Sequence, residues 1–321
     1  MMINFLRRLF YIVPKLPETA QISVTNRCNF NCQMCQRNDL KVSIKDMPFE
    51  KFENIVGKLF GVKNLILTGW GEPFVHKDII KMIKFGKNKG FNIRLTSNGS
   101  LLSDDLIDEI LASKLDAITF SVDEIEKTKN NIGHINASQL KNIKIFVQKR
   151  EEKNSNLKIY LQSVFYKNKE ENIYNIAKWA IKNNVDRVRI TRLDVRFHNF
   201  ERPTKKEEKK LIKNLEKITK GKTGIDFLPH IAFDGLAKIV YKIFHPFLHR
   251  FGRHCLRTYS DIYINVDGMA TPCCALPRLF FGDLNKESLE SIWDNKKFKY
   301  FRKNEKNYCG KCDILLVNPN N

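Results

Sequence analysis

The feature that most constrains the fold of this chain is an alternation of short apolar runs with longer amphipathic stretches between residues 20 and 192. The intervening stretches have helical spacing, as in SDDLIDEILASK at 103–114, where Ser103 and the acids after it suit a helix N-terminus. Strand and helix in repeated alternation predict parallel pairing with right-handed crossovers, and therefore an open or barrel-like α/β sheet. The six predicted strands are AQISVT at 20–25, NLILTG at 64–69, FNIRLT at 91–96, AITFSV at 117–122, KIYLQS at 158–163 and RVRITR at 187–192.

Polar and glycine residues follow the predicted strands at their carboxyl ends, where ligands bind in folds of this class. Three cysteines come directly after the first strand, and GWGE at 69–72 follows the second. Ser97-Asn98-Gly99, Ser121-Val122-Asp123 and Gln162-Ser163 occupy the ends of the next three strands. We therefore predict one functional site on this face of the sheet.

The cysteines fall into two groups. Cys28, Cys32 and Cys35 lie within CNFNCQMC, and the other five are Cys255, Cys273, Cys274, Cys309 and Cys312. Structural zinc and iron-sulfur clusters commonly take four protein ligands, so a loop with three thiols leaves one metal position for an external ligand. The second group could supply one four-ligand site, for zinc or for a cluster. Such grouping favours metal ligation in a reducing compartment over disulfides, which predicts a cytoplasmic protein.

Beyond residue 192 the alternation gives way to a Lys/Glu-rich helix at 203–220 and a glycine-flanked break at 221–224. We expect a hairpin that turns at Asp267-Gly268, a short helix in SLESIWDNKKFKYF at 288–301, and a loose tail. The predicted organisation is an N-terminal extension at 1–17, the barrel at 18–220, a basic aromatic linker or lid at 221–254, and a small cysteine-rich domain at 255–321.

The chain is strongly basic, with 56 Lys and Arg against 35 Asp and Glu and a formal net charge of +21. This excess suits an anionic substrate or an acidic partner, although a solvated basic surface produces the same balance. The basic residues are dispersed rather than clustered, which argues against nucleic acid. No apolar run reaches the roughly 20 residues of a membrane span.

CNFNCQMC resembles the CxxxCxxC signature of radical S-adenosylmethionine (SAM) enzymes, in which SAM chelates the iron that the protein leaves unligated. GWGEP at 69–73 resembles the glycine-glutamate motif of that family, whose backbone contacts the SAM amino group. The family fold is a partial six-stranded βα barrel. Many relatives also carry an arginine for the SAM carboxylate where this chain has KNNIGHIN, with Lys129 and His134 as candidate substitutes. The resemblance implies that SAM is contacted by Met34, Gly69, Gly71, Glu72, Asn98, Ser121 and Gln162.

The C-terminal cysteines resemble the twitch/SPASM auxiliary-cluster module found in many radical SAM enzymes. Gly268-MATP-Cys273 has the Gly-x4-Cys spacing of that module, and a tryptophan-containing helix and CxxC follow. The resemblance implies that Cys255, Cys273, Cys309 and Cys312 ligate one auxiliary [4Fe-4S] cluster, with Cys274 as a spare thiol.

These resemblances imply reductive cleavage of SAM to a 5'-deoxyadenosyl radical that abstracts hydrogen from a substrate, with the auxiliary cluster in electron transfer. The expected electron donor is a ferredoxin or flavodoxin. The sequence does not identify the substrate, which could be an anionic molecule, a lipid-like molecule or a peptide delivered by a partner. The corresponding reactions are peptide modification, cofactor maturation and small-molecule oxidation. The alternatives are a non-enzymatic iron-sulfur electron carrier and a zinc-stabilised nucleic-acid-binding protein.

Overall fold

The fold is organised around a single ten-stranded sheet. The computed structural model describes residues 12–125, 137–194, 201, 203–228, 243, 255, 257–309 and 312. Within these residues the strand order is β10-β9-β8-β1-β2-β3-β4-β5-β6-β7. The strands are β1 (Thr19–Ile22), β2 (Asn64–Ile66), β3 (Asn92–Ser97), β4 (Ala117–Ser121), β5 (Lys158–Phe165), β6 (Arg187–Arg192), β7 (Gly224–Leu228), β8 (Asp261–Ile264), β9 (Met269–Thr271) and β10 (Gly282–Asp283).

The predicted α/β architecture is confirmed. Strands β1 to β7 follow one another in chain order, and every neighbouring pair among them is parallel. All six predicted strands are present, and β6 has the predicted bounds. Their carboxyl ends therefore meet at one edge of the sheet, together with the residues that follow them.

Helices connect the parallel strands and cover one face of the sheet. Phe120 of β4 packs edge-on against Phe146 of α4, with ring centroids 5.5 Å apart. Ser103 accepts a hydrogen bond from Leu106 N, which confirms the predicted N-cap. The helices are α1 (Phe49–Gly57), α2 (Ile79–Asn88), α3 (Asp104–Ala112), α4 (Ala137–Glu152), α5 (Glu170–Lys182), α6 (Lys205–Thr219), α7 (Arg257–Ser260), α8 (Leu289–Trp293), α9 (Lys296–Lys303) and α10 (Glu305–Cys309).

The sheet extends past residue 220, where we expected a linker. The predicted break is the turn that ends α6, with Lys220 and Gly221 both at positive φ, 45° and 77°. The chain then returns as β7, which pairs in parallel with β6. The stretch GIDFL is too short for its alternation to be distinguished from a loop by sequence alone.

The cysteine-rich segment begins with the predicted hairpin. Strands β8 and β9 are antiparallel, and Gly268 occupies the turn with φ 87°. Strand β8 also pairs in parallel with β1, from Thr19↔Asp261 to Ile22↔Ile264. The described part of the cysteine-rich segment thus shares a sheet with the parallel strands.

A compact aromatic cluster stabilises this C-terminal segment. Phe281 and Phe298 have ring centroids 4.4 Å apart, and Trp293 meets Phe298 edge-on at 4.9 Å. The predicted helix at 288–301 is two helices, because Asn295 interrupts it and caps α9 by accepting from Phe298 N. Trp293 Nε1 donates to Pro14 O at 2.9 Å, which fastens the segment to the residues before β1.

No helix among the described residues is both long enough and apolar enough to cross a membrane. The basic aromatic stretch at 236–253 lies outside the described residues except for Ile243, as does the tail after Cys312.

Replacement of Ile264 by Ala should destabilise the junction between β8 and β1. Ile264 and its register partner Ile22 are both fully buried, so the substitution leaves a cavity and should cost about 2 to 4 kcal/mol. The control Phe60→Ala removes a side chain that is 85% exposed and should change stability by less than about 0.5 kcal/mol. Urea unfolding followed by circular dichroism measures both variants, and equal effects would contradict the prediction.

Candidate functional site

The first three cysteines lie on an irregular loop at the carboxyl end of β1. Cys28, Cys32 and Cys35 are all half-buried, and none of the eight described cysteines is in a disulfide. A turn brings the last two together, because Cys35 N donates to Cys32 O at 3.0 Å. The loop is tied to the chain that leads into α1 by Thr25 Oγ1, which donates to Asp46 Oδ1 at 2.6 Å.

The environment of Cys28 combines burial with one nearby cation. Burial raises the pKa of the Cys28 thiol, and the neighbouring Glu72 and Cys35 raise it further, whereas Phe30 N and Arg37 lower it. Arg37 Nη2 donates to Phe30 O at 3.2 Å, but its buried Nε has no hydrogen-bond partner. An unmatched buried N–H and a positive charge beside a thiol suit a negatively charged thiolate-ligated cluster. Sequence reasoning missed Arg37, which is outside any motif.

Two glycines let the GWGEP segment lie directly against the cysteine loop. A Cβ on Gly71 would stand 2.3 Å from Arg27 O and 2.7 Å from Thr25 O, and a Cβ on Gly69 would overlap Ser23 Oγ. Glu72 N donates to Arg27 O at 2.8 Å in the same place. Since the obstructing atoms at Gly71 are backbone atoms, only glycine fits there.

The Glu72 carboxylate joins the ends of β2 and β3. Its Oε2 accepts from Asn98 N at 2.6 Å, and its Oε1 accepts from Ser97 Oγ at 2.8 Å and from Phe74 N at 3.2 Å. Burial raises the pKa of Glu72, and these three donors oppose that shift. The side chain predicted to contact SAM thus shapes the loop around the site.

Asn98 connects the end of β3 to the cysteine loop. Its Nδ2 donates to Asn29 Oδ1 at 2.9 Å, and Asn29 Nδ2 in turn donates to Ser100 Oγ at 2.8 Å. Gln139 of α4, which is buried, donates through Nε2 to Asn98 O at 2.6 Å and to Ser121 O at 2.8 Å. Gln139 therefore fixes the spacing between the ends of β3 and β4, and no local sequence signal marks it.

Ser121 and Gln162 are direct register partners on β4 and β5. Both are half-buried, as is Met34 on the cysteine loop. Phe120, next to Ser121, points to the helices, so by strand alternation Ser121 points to the opposite, inner face of the sheet. Lys129 and His134, the candidate SAM-carboxylate ligands, lie outside the described residues.

A titratable carboxyl group lies two residues beyond Ser121. Asp123 Oδ1 accepts from Val164 N at 2.9 Å. Burial raises the pKa of Asp123 to about 6, and the nearby Glu124 adds to the shift while Val164 N and Lys169 oppose it. Glu124 itself is buried and paired with Lys169 Nζ at 2.5 Å. Asp123 can therefore exchange a proton near neutral pH.

The structure gathers the second group of cysteines around α7 and the β8–β9 hairpin. Burial raises the pKa of Cys255, and Glu305, Cys273 and Cys312 are close enough to raise it further. Burial likewise raises the pKa of Cys273, with contributions from Cys274, Cys309 and Cys312. Cys312 N donates to Cys309 O at 2.9 Å, as expected for a chelating CxxC turn.

A hydrogen bond joins the two cysteine regions through GWGEP. Trp70 Nε1 donates to the backbone oxygen of Cys274 at 3.1 Å. Lys45, near the cysteine loop, also pairs with Asp267 in the hairpin turn at 2.5 Å. The two regions are therefore held in a fixed relation.

Among the described residues, no three His, Cys, Asp or Glu side chains already surround a position for a single metal ion. A cubane cluster binds each thiolate through a different iron, so its ligands do not converge on one point.

Comparison with known proteins places the chain in a family. A sequence profile of the radical SAM superfamily matches residues 22–191, more than half of the chain. A profile of the SPASM iron-sulfur cluster-binding domain matches residues 255–313. This chain belongs to the radical SAM superfamily and carries a C-terminal SPASM domain.

Curated relatives agree with that membership. The chain is 25% identical to the tungsten-containing aldehyde ferredoxin oxidoreductase cofactor-modifying protein of Pyrococcus furiosus, over 91% of this chain and 86% of the relative. It is 38% identical to a probable GTP 3',8-cyclase of Methanothermobacter marburgensis, over 34% of this chain and 36% of that protein.

Solved structures share the fold. Streptococcus suis SuiB bound to S-adenosylmethionine superposes with a TM-score of 0.71 at 18% identity, covering 95% of this chain and 72% of SuiB. The enzyme anSMEcpe with bound AdoMet gives a TM-score of 0.67 at 16% identity, covering 92% and 86% of the two chains. The predicted partial-barrel fold is confirmed.

Family membership decides between the classes left open by the sequence. The chain is an enzyme whose cofactors are SAM, a [4Fe-4S] cluster chelated by SAM and auxiliary iron-sulfur chemistry in the SPASM domain. The non-enzymatic electron carrier and the zinc-stabilised nucleic-acid-binding protein are therefore wrong. Three features fit a SAM-chelated cluster: the loop with three thiols, the close backbone packing that Gly71 allows, and the buried Nε of Arg37 that has no hydrogen-bond partner.

Replacement of Gly71 by Ala should abolish SAM binding, because the new Cβ would force the GWGEP backbone away from Arg27 O and Thr25 O. Gly57→Ala is the matched control, since nothing lies within 4 Å of its Cβ position and alanine favours helix α1 by about 0.5 to 1 kcal/mol. Anaerobic equilibrium dialysis with labelled SAM measures both. Wild-type SAM affinity in the Gly71 variant would refute this account of the loop.

Proposed function

We propose that this chain catalyses radical oxidation or modification of a substrate by hydrogen abstraction, using the Cys28, Cys32 and Cys35 thiolates to hold the SAM-chelated cluster. The observation that carries the proposal is the contact between the cysteine loop and GWGEP. Glu72 N bonds to Arg27 O, and Gly71 packs on the same backbone, next to the three thiols. The loop whose thiols would hold a cluster with one open iron and the motif assigned to SAM are thereby adjacent.

When bound and reduced, the cluster and SAM supply a 5'-deoxyadenosyl radical that abstracts a hydrogen atom. Met34, Gly69, Asn98, Ser121 and Gln162 would hold SAM near the carboxyl ends of the parallel strands. Gln139 keeps the Asn98 and Ser121 ends at a fixed separation. Asp123, whose pKa is raised to about 6, would accept a proton that an oxidised substrate releases.

We assign the auxiliary site as one [4Fe-4S] cluster ligated by Cys255, Cys273, Cys309 and Cys312, with an electron-transfer role. The charge interactions of the thiols support this choice between the adjacent Cys273 and Cys274. Cys273 interacts with Cys309 and Cys312, whereas the neighbour that most affects Cys274 is Arg257, which lowers the pKa of that thiol against the effect of burial. Four protein ligands close the cluster to substrate.

The proposed partners are a ferredoxin or flavodoxin as electron donor and, as substrate, a small molecule or a peptide. SuiB, which shares the fold, was solved bound to its precursor peptide SuiA. The P. furiosus relative is named for cofactor modification. The thiols, none of which is in a disulfide, suit a reducing cytoplasm.

Replacement of Cys32 by Ala should abolish formation of 5'-deoxyadenosine, because the loop would keep only two thiolates for the SAM-chelated cluster. The assay uses anaerobically reconstituted protein, dithionite and SAM, with chromatographic detection of 5'-deoxyadenosine. Wild-type product formation by the variant would eliminate the proposed role of the loop.

The pair Cys273→Ala and Cys274→Ala should separate ligand from spare thiol. We expect the first to lose about half of the iron of the two-cluster protein and the second to keep it, since only one of the two thiols is assigned to the cluster. Iron and sulfide counts, with electron paramagnetic resonance of the reduced protein, distinguish them. The reverse result would transfer the ligand role to Cys274.

A further inference from the structure

The inner face of the sheet carries a row of polar residues that continues beyond the proposed SAM contacts. Ser121 pairs with Gln162, Gln162 pairs with Arg189, and Arg189 pairs with Asp226, on four successive strands. Val188 and Ile190, on either side of Arg189, are fully buried, so Arg189 points to the same inner face as Ser121. Two strand spacings, about 10 Å, separate the backbones of Ser121 and Arg189.

Arg189 is held in place by an aromatic ring and a shared carboxylate. Its guanidinium carbon lies 4.2 Å from the ring centroid of Tyr160, and its Nε lies 3.6 Å from Asp226 Oδ2. Arg187 Nη1 binds the other oxygen of the same carboxylate, Asp226 Oδ1. Two guanidinium groups thus share one negative charge.

A third guanidinium group adds to this positive charge. Arg94 of β3 lies close enough to Arg189 to act on it electrostatically, as does Arg187. Arg94 Nε is directed to a neutral acceptor, Asn92 Oδ1, at 3.4 Å. Burial is the largest of the effects that lower the pKa of Arg189, and Asp226 opposes it. Within this group of four side chains, the three guanidinium charges exceed the one carboxylate charge of Asp226 by two.

This excess charge has the chemistry of an anion-binding site. A planar guanidinium group binds carboxylate or phosphate through two parallel hydrogen bonds, and a partly desolvated pocket strengthens such bonds. The side chains of Arg187 and Arg189 remain 35% and 23% exposed, so a ligand can reach them.

We propose that Arg94, Arg187 and Arg189 form an arginine subsite on the inner face of the sheet that binds a carboxylate or phosphate group of the substrate. The proposal rests on the proposed function and adds to it the chemical class of the substrate. SAM also has a carboxylate, which is a second source of the same ligand chemistry. The contacts of the arginines favour the substrate. The Arg189 guanidinium lies over Tyr160, two residues before Gln162 on β5, and Arg94 pairs with Ala117, four residues before Ser121 on β4. The arginines therefore lie toward the amino ends of the strands, whereas the proposed SAM contacts lie toward the carboxyl ends.

The test measures binding of inorganic pyrophosphate and of succinate to the reconstituted holoenzyme at fixed ionic strength, with saturating SAM, by isothermal titration calorimetry. The variants are Arg189→Gln and Arg94→Gln. Lys63→Gln is the control, because it removes an equal charge from an exposed position before β2. Loss of a charged hydrogen bond should weaken binding of at least one probe about tenfold in the Arg189 variant and severalfold in the Arg94 variant. The control should change it less than about twofold.

A second measurement identifies the source of the anion. SAM affinity by equilibrium dialysis should be the same in the Arg189 variant and the wild type, and neither probe should displace SAM. If SAM affinity falls about tenfold and the probes compete with SAM, the arginines hold the SAM carboxylate and the substrate assignment is overturned. Failure of both probes to bind wild-type protein, or equal binding by all variants, also overturns it.

Failure of the subsite is distinguishable from failure of the proposed function. Substrate-independent formation of 5'-deoxyadenosine is measured in the wild type and in the Lys63→Gln control, and it should be the same in both, so it tests the proposed function without the arginines. If the wild type forms no 5'-deoxyadenosine, the proposed function fails while the probe measurements still decide the subsite. Arg94 is exposed, so its variant keeps the test decisive if the Arg189 variant does not fold.

Discussion

The position of β1 between β2 and β8 is the constraint on which the rest of the structure depends. Both neighbours pair with it in parallel, so a four-residue strand joins the radical SAM domain to the SPASM segment. The cysteine loop begins at the carboxyl end of this strand, and Tyr263 of β8 lies close to Cys273 and Cys274. The register on the two sides of β1 therefore sets the position of one cofactor site relative to the other.

Around that junction, backbone contacts shape the proposed SAM site more than contacts between side chains do. The Glu72 carboxylate accepts hydrogen bonds from Asn98 N, Phe74 N and Ser97 Oγ. Gly71 allows close backbone packing because it has no Cβ. The conformation of the loop shapes such a site. Side chains that do not contact the loop backbone can therefore vary without changing the shape of the site. The inner face of β6 and β7 is different, because charged side chains define it. The proposed cofactor contacts thus rest mainly on loop backbone, and the proposed substrate contacts rest on charged side chains.

Much of the fold follows from local sequence patterns, since six strands, the Ser103 cap and the Gly268 turn each have a signal within a few residues. The pairing of β8 with β1 has no such local signal, because the paired residues are about 240 positions apart in the sequence. The cysteines and GWGEP were visible as motifs. Arg189 was not, because its significance arises only when the register places it in one row with Ser121 and Gln162. The positions of Gln139 and Arg37 in the site also have no local sequence signal. Both side chains donate to backbone oxygens, which any residue can supply, and the partners of Gln139 are distant in sequence.

The hydrogen bond from Trp70 to the Cys274 oxygen joins the GWGEP segment to the C-terminal cysteines. Trp70 stands between the two glycines of the SAM loop, and Cys274 adjoins a proposed ligand of the auxiliary cluster. By thermodynamic linkage, if SAM binding changes the affinity of the auxiliary site for its cluster through that bond, loading of the cluster must change SAM affinity by the same factor. Assembly of the auxiliary cluster would then change the affinity for SAM at the other site, and no domain would have to move.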